Sequence, residues 1–285
     1  MQTVLLISSF VSASPIGAVA SAFCLRRLGF NVVTLPTTLY GRHPGWGAQG
    51  GSVNDPQLFE DIWQGIAAQN IPFDAVMTGY MASPDHVDIS CEIISGLTKD
   101  KNIPVLVDPI MGDNGALYIS ERTAHALIDH LIPKASLITP NLWEFDYITT
   151  HSRSQADTSP DVQDSRSVAH IARTAQKTFK KDMIVTSIPL GTEIGALCLK
   201  GQDVHYMGHE KFNHVPHGGG DALAALCLAH LLSGKPLAEA LAYSVSSIAR
   251  IMDYAHKHSS RELPLIQMQD SLINPPHLPL QSLSI

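Results

Sequence analysis

Short apolar runs alternate along this chain with longer stretches whose apolar residues recur at helical spacing. The runs TVLLIS (3–8), FNVVTLP (30–36), DAVMTGY (74–80), IPVLVDP (103–109), ASLITPN (135–141) and DMIVTSI (182–188) read as strands. Helical patterns fill the gaps: IGAVASAFCLRRLG, which Gly29 is placed to end, PQLFEDIWQGIAAQ, with Asp55 as N-cap before Pro56, SPDHVDISCEIISGLTKD, with Ser83 before Pro84, and ERTAHALIDHLI. IGALCLKGQDVHYM (194–207) predicts a hairpin about Gly201–Gln202, and two strong helices follow at roughly 220–233 and 236–257. Strands alternating with helices of this length imply βαβ units. The expected fold class is therefore α/β, a mostly parallel central sheet covered on both faces.

No compositional break divides the chain, so residues 1–285 are read as a single domain. The polar stretch HSRSQADTSPDVQDSRS (151–167) reads as a mobile surface insertion. In a sheet of this kind ligands bind beyond the carboxyl ends of the strands. That rule places the site in SSFVSASP, TTLYGRHPGWG, TGYMASP, DPIMGDNG, TPNLWE and VTS, segments rich in hydroxyl, acidic and small residues.

Composition narrows the picture. The chain is 45% hydrophobic and 16% charged with a formal charge of −7, which argues against general nucleic-acid or membrane-surface binding. A local anion site stays open, because backbone amides bind phosphate without net positive charge. Cys24, Cys91, Cys198 and Cys227 are scattered without C-x-x-C spacing and read as reduced thiols of a cytoplasmic protein. The start MQTVLLISSF lacks a basic leader region, and no apolar run reaches the ~18 residues of a membrane span. GWGAQG (45–50) fits the dinucleotide fingerprint by letter only, since Gly51 to Asp55 intervene before the next helix. The 14 histidines show no metalloprotease spacing, and SGKP (233–236) fails as a P-loop because Ala229 and Pro236 occupy required positions.

The informative stretch is HGGGDALAALCLAHLL, three glycines and an aspartate at the start of a strongly apolar helix. Such a helix points free N–H groups and a positive dipole end into the site, and Gly218, Gly219 and Gly220 let a ligand approach the backbone. Asp221 in the first turn is favoured there by the dipole alone. Beside an anion cradle, however, an ionised carboxylate is also suited to accept a hydroxyl proton during phosphoryl transfer.

These residues resemble the ribokinase-like superfamily, and the closer similarity is to pyridoxal kinases, running nearly end to end. It is carried by SSFVSASPIG, RRLGFNVVTLPTTLYGRHPGWG, TGYMASP, VDPIMGDNGALYIS and ITPNLWEFDYIT, with RELPLIQMQDSLINP resembling the family's C-terminal strand and tail. The resemblance implies a three-layer α/β/α ribokinase-like fold and ATP-dependent phosphorylation of the 5′-hydroxymethyl group of pyridoxal, pyridoxine or pyridoxamine. It implies Asp221 as catalytic base and the amides of Gly218, Gly219 and Gly220 as anion hole. Asn141 and Glu144 would hold a Mg²⁺–phosphate assembly through water, with Asp108 in the same acidic cluster and Asp113 close to the phosphates. Thr186 and Ser187 match a strand end that contacts nucleotide phosphates, while Ser9, His43 and Tyr80 match substrate-contacting positions. A homodimer is implied, and participation of a monovalent cation is left open.

The sequence also departs from the family. Arg42 and Pro44 replace the asparagine and threonine of an N-H-T segment, Phe10 stands where histidine is frequent, and Gly219 replaces the threonine of G-T-G-D. His217 is shared with hydroxymethylpyrimidine kinases, whose motif carries cysteine where this chain has Asp221. Two rival readings follow: a hydroxymethylpyrimidine or other small-alcohol kinase on the same fold, and a non-catalytic protein that holds a B6 vitamer.

Overall fold

The order of elements follows the apolar pattern. In the computed structural model, which describes residues 1–152, 168–213, 215–276 and 278–283, the first half runs β1 (Thr3–Val11), α1 (Ala18–Arg27), β2 (Asn31–Tyr40), β3 (Gly51–Val53), α2 (Pro56–Ala67), β4 (Ala75–Thr78) and α3 (Pro84–Thr98). It continues through β5 (Val105–Val107), a small hairpin of β6 (Gly112–Asp113) and β7 (Ala116–Leu117), and α4 (Glu121–Ala126), which passes into a π turn at Leu127–Leu131. The second half holds β8 (Leu137–Ile138), α5 (Leu142–Ser152), α6 (Val168–Thr178), β9 (Asp182–Leu190), β10 (Glu193–Lys200) and β11 (Asp203–Glu210). It closes with α7 (Gly219–Leu232), α8 (Leu237–Lys257), α9 (Gln269–Ile273) and β12 (Gln281–Ser282). The expected insertion lies, from residue 153, outside the described residues.

Local chemistry sets the helix starts. Asp55 accepts from the Leu58 N–H at 2.9 Å and Ser83 from the His86 N–H at 3.3 Å, each just before a proline that opens its helix. Gly29 closes the turn after α1 with φ 92°, in the left-handed region glycine favours. The hairpin falls where predicted, Lys200 pairing with Asp203 around Gly201.

Among the described residues a ten-stranded sheet runs in the order β12-β11-β10-β9-β8-β5-β4-β1-β2-β3. The central strands β2, β1, β4, β5, β8 and β9 are parallel, while β3 on one side and β10 to β12 on the other are antiparallel. Alternate side chains feed two separate cores. Leu5, Ile7, Val105, Val107 and Val185 face one, with α2 to α6, and Val4, Leu6, Leu106 and Ile184 face the other, with α1, α7 and α8. Burial on both faces explains why the central strands read as unbroken apolar runs. All parallel carboxyl ends emerge along one edge, so the loops after β1, β2, β4, β5, β8 and β9 meet there.

The C-terminal segment corrects one expectation. RELPLIQMQDSLINP is not a strand: residues 261–268 run irregularly into α9, and the edge strand is β12 instead. Pro264 has no N–H to give a ladder, and its carbonyl accepts from Met268 in a turn. Leu263 and Leu265 are both 3% exposed and pin the segment into the core.

Candidate functional site

The acidic end of α7 is built by exclusion of side chains. Gly218 caps the helix at φ 96°, and a Cβ there would stand 2.5 Å from the Pro15 carbonyl. A Cβ on Gly219 would meet the Met252 methyl at 2.5 Å, whereas one on Gly220 would meet nothing within 4 Å. Gly218 is thus demanded by the backbone, Gly219 meets only the movable end of the Met252 side chain, and Gly220 opens onto free space. Among the described residues no side chain caps α7 at its N-cap, so the N–H groups ahead of Asp221 remain available to a ligand.

Asp221 is held between two helices. Its carboxylate accepts from its own N–H and from the N–H of Gly17, the cap of α1, while the Ser21 hydroxyl of α1 donates to its carbonyl at 3.2 Å. Gly17 has φ 54°, and a Cβ there would collide with Ser9 Oγ at 2.3 Å. Ser9, Gly17 and Asp221 therefore form one continuous wall. Burial raises the Asp221 carboxyl to about 6, and the two backbone donors pull it back toward ionisation. Its side chain nevertheless keeps partial exposure. At neutral pH it is predominantly a carboxylate.

Asp108, 5% exposed at the end of β5, and Glu144, 3% exposed in α5, lie behind it. Burial first, then the charges of Glu144 and Asp221, push Asp108 well above the usual carboxylate range, and the Thr139 hydroxyl at 2.9 Å opposes this. Burial raises Glu144 to about 7 against three backbone donors: Asn141 N–H at 2.8 Å, Met111 at 2.9 Å and Gly112 at 3.4 Å. Asn141 Oδ1 in turn accepts from the Glu144 N–H at 2.9 Å, completing a reciprocal capping box, and Asn141 Nδ2 donates to the Gly112 carbonyl at 2.9 Å. Both residues thus fix the β6–β7 hairpin to α5. Among the described residues no His, Cys, Asp or Glu group of three is arranged to hold a metal directly. The donor set suits a water-held divalent cation all the same, because Asp108, repelled by both Glu144 and Asp221, gathers hard oxygen donors whose charges a cation would offset.

The remaining nucleotide-side residues share one cavity of about 760 Å³. Asp113, Thr186, Ser187, Gly219 and Gly220 are among its lining residues. Ser187 adopts φ 61°, rare for a residue with a side chain. Thr186 and Ser187 lie in the middle of β9 and not, as expected, at its end, and the Thr186 N–H donates to the Pro140 carbonyl at 2.9 Å, which holds this part of the strand against TPNLWE. Phe212, Val215, Leu223, Val245, Ile248 and Met252 supply apolar lining to the same cavity, Met252 directly beside Gly219. Pattern reading did not single out these six as a site; the α8 members follow the helical apolar period that marks an ordinary core face.

At the opposite end of the edge, the Tyr80 N–H bonds Ser8 Oγ at 3.2 Å and the Thr37 hydroxyl donates to the Tyr80 carbonyl at 2.8 Å. Burial and then neighbouring Tyr40 raise the Tyr80 hydroxyl above its usual range. His43 lies on the loop after β2. Its Nδ1 accepts from the Gly45 N–H at 2.9 Å, and its ring stacks on His217 with centroids 4.3 Å apart. Burial, then His217, hold His43 below the usual histidine range. The loop therefore reaches from the strand edge to the residue preceding Gly218.

Comparison with known proteins gives this arrangement a relative. The family model described as phosphomethylpyrimidine kinase matches residues 28–265. The pyridoxal kinase PdxY of Actinobacillus succinogenes is 30% identical over 291 residues, spanning 96% of both chains. Among solved structures, the pyridoxal kinase of Entamoeba histolytica superposes with a TM-score of 0.88 at 22% identity, covering 99% of this chain and 100% of that one. That of Leishmania donovani in complex with ADP and pyridoxamine does so with 0.87 at 23% identity, over 99% and 100%. With its motifs gathered in order along a single sheet edge, and with relatedness that extends over nearly its whole length, the chain belongs to the pyridoxal kinase family.

Proposed function

We propose that the protein transfers the γ-phosphoryl group of ATP to the 5′-hydroxymethyl oxygen of pyridoxal, with pyridoxine and pyridoxamine as related acceptors. The observation that carries the reading is Asp221, a part-exposed carboxylate next to an uncapped helix N-terminus whose third glycine faces open space. Its relatives are named pyridoxal kinases, and a structural neighbour holds ADP together with pyridoxamine.

In this reading Asp221 accepts the hydroxyl proton as the oxygen attacks phosphorus. The N–H groups of Gly218, Gly219 and Gly220 hold the charge that builds on the transferred group. Thr186 and Ser187 bind the polyphosphate, with Asp113 close to it on the side of the cation, and the apolar lining of the cavity takes the base of the nucleotide. Ser9, Tyr80 and His43 surround the acceptor ring, Tyr80 offering an aromatic face and Ser9 a hydroxyl. Asp108, Asn141 and Glu144 would hold Mg²⁺ through water; when bound, the ion offsets phosphate charge. The loop over residues 41–54 excludes water that would otherwise compete for the phosphoryl group.

We further take residues 1–285 to act as one domain, since both cores share one sheet. A homodimer is consistent with the exposed apolar edge formed by Leu39, 47% exposed, and Val53, 42% exposed. A cytoplasmic setting agrees with four free cysteines. Among the described residues no helix is long and apolar enough to cross a membrane. The deciding experiment is ADP release with MgATP across pyridoxal, pyridoxine, pyridoxamine and hydroxymethylpyrimidine. Turnover fastest with a B6 vitamer supports the proposal; preference for the pyrimidine, or binding without turnover, replaces it with one of the rivals.

A further inference from the structure

The loop after β2 is held by residues that the phosphoryl-transfer chemistry does not use. Trp46 donates its indole N–H to Glu262 Oε1 at 2.9 Å, and the same oxygen receives the Ser14 hydroxyl at 3.1 Å. The Arg261 guanidinium lies over the Trp46 ring, 4.4 Å from its centroid, and His217 meets that ring edge-on at 6.0 Å. The neck of the loop is braced separately, with Arg42 Nε donating to the Ala48 carbonyl at 2.7 Å and the Gly41 N–H to Gln49 at 3.0 Å. One carboxylate oxygen thus joins the loop tip to the segment that leads into Gly17, the residue whose N–H holds Asp221. Its own footing is firm, because Leu263 and Leu265 anchor it in the core.

We propose that Glu262, with Trp46 and Arg261, is a positioning unit that latches the substrate loop across the site. It acts through His43 and the Ser14–Gly17 segment and does not itself touch the substrate. The proposal rests on the kinase reading only for its kinetic arm. Glu262→Ala removes the acceptor shared by Trp46 and Ser14, Trp46→Phe keeps a ring for Arg261 but loses the donor, and Glu262→Gln keeps an acceptor oxygen for both partners.

The expected result is a KM for pyridoxal raised roughly ten-fold in Glu262→Ala and Trp46→Phe, the reach of one hydrogen bond to a charged group, with kcat and the KM for ATP within about three-fold. Glu262→Gln should stay close to wild type. The second readout needs no substrate: chymotrypsin cleavage after residue 46, at the latched loop tip and still aromatic in Trp46→Phe, should accelerate several-fold in the first two variants and not in Glu262→Gln. Unchanged pyridoxal KM with unchanged cleavage overturns the latch. Equal losses for both substrates, or Glu262→Gln behaving like Glu262→Ala, also overturn it. Faster cleavage in a protein that phosphorylates no B6 vitamer would sustain the latch and sink the kinase reading instead.

Discussion

Glu144 and Asp221 each stand third in their helices, α5 and α7, at the same edge of the same sheet. In α5 the preceding residue is Asn141, and the two side chains cap one another while the carboxylate also gathers the N–H groups of Met111 and Gly112. In α7 the cap is Gly218, which has no side chain to exchange, and Asp221 takes its second donor from Gly17 of the neighbouring helix. Glu144 is tied into local structure and would reach a ligand only through a water-held cation, whereas Asp221 keeps partial exposure next to bare backbone. The comparison teaches that an acid in a first helical turn is free to touch a reacting group directly only when its own cap leaves it unpaired.

The sharpest way to break this contrast is to neutralise each acid in turn. Asp221→Asn should lower kcat by roughly 10²–10⁴, the usual reach of a general base, with substrate binding largely retained, as steady-state kinetics and calorimetry would show. Glu144→Ala should cost about 1–3 kcal/mol of stability in denaturant unfolding, because it strands three backbone donors in the interior, with a kinetic loss, through the cation, smaller than that of Asp221→Asn. A kinetic loss for Glu144→Ala as large as for Asp221→Asn would erase the distinction.

The glycines sharpen it further. Gly218→Ala places a Cβ in a left-handed cap against the Pro15 carbonyl and should destabilise by a further 1–2 kcal/mol or so. Gly220→Ala meets no protein atom and should leave stability unchanged or raise it by up to about 1 kcal/mol, yet raise the KM for ATP. That opposite movement of stability and function, read by thermal melting and kinetics on one variant, is the signature of backbone reserved for a ligand.

A smaller effect lies in the pH dependence of stability. Asp221 rises from 3.8 to about 6 and Glu144 from 4.5 to about 7 on folding, so the native state binds more protons than the unfolded chain between roughly pH 4 and 7. Their contribution is full below the unfolded values and is lost as pH climbs through the folded ones. Glu144→Gln should flatten that slope, measured as unfolding midpoints at pH 4.5 and 7.

Much of this was readable in the residues. Asp55 and Ser83 announced their helices through capping chemistry, and HGGGD announced an open helix end. Strand ends were harder, because Ser8, Ser9, Thr37 and Thr38 look like loop residues yet are buried within β1 and β2. Bonds such as Thr37 to the Tyr80 carbonyl hold them there, and those partners become visible only once the strands are side by side. The role of Asn141 and Glu144 as a capping box was legible from N-x-x-E alone. The apolar nucleotide wall and the Trp46–Glu262 contact were not, since they join segments far apart in the chain whose side chains match any core or surface pattern.

The central claim is that Asp221 works as an ionised base whose proton affinity is set by burial between two helix ends. Its most direct test is the pH profile of kcat/KM for pyridoxal phosphorylation, which reports the free enzyme, run on the wild type and on Asp221→Asn. The account predicts an acidic limb with a midpoint near 6 in the wild type that is absent from the low residual rate of the variant. A limb that persists in Asp221→Asn, or a variant turning over within a few-fold of the wild type, would contradict it.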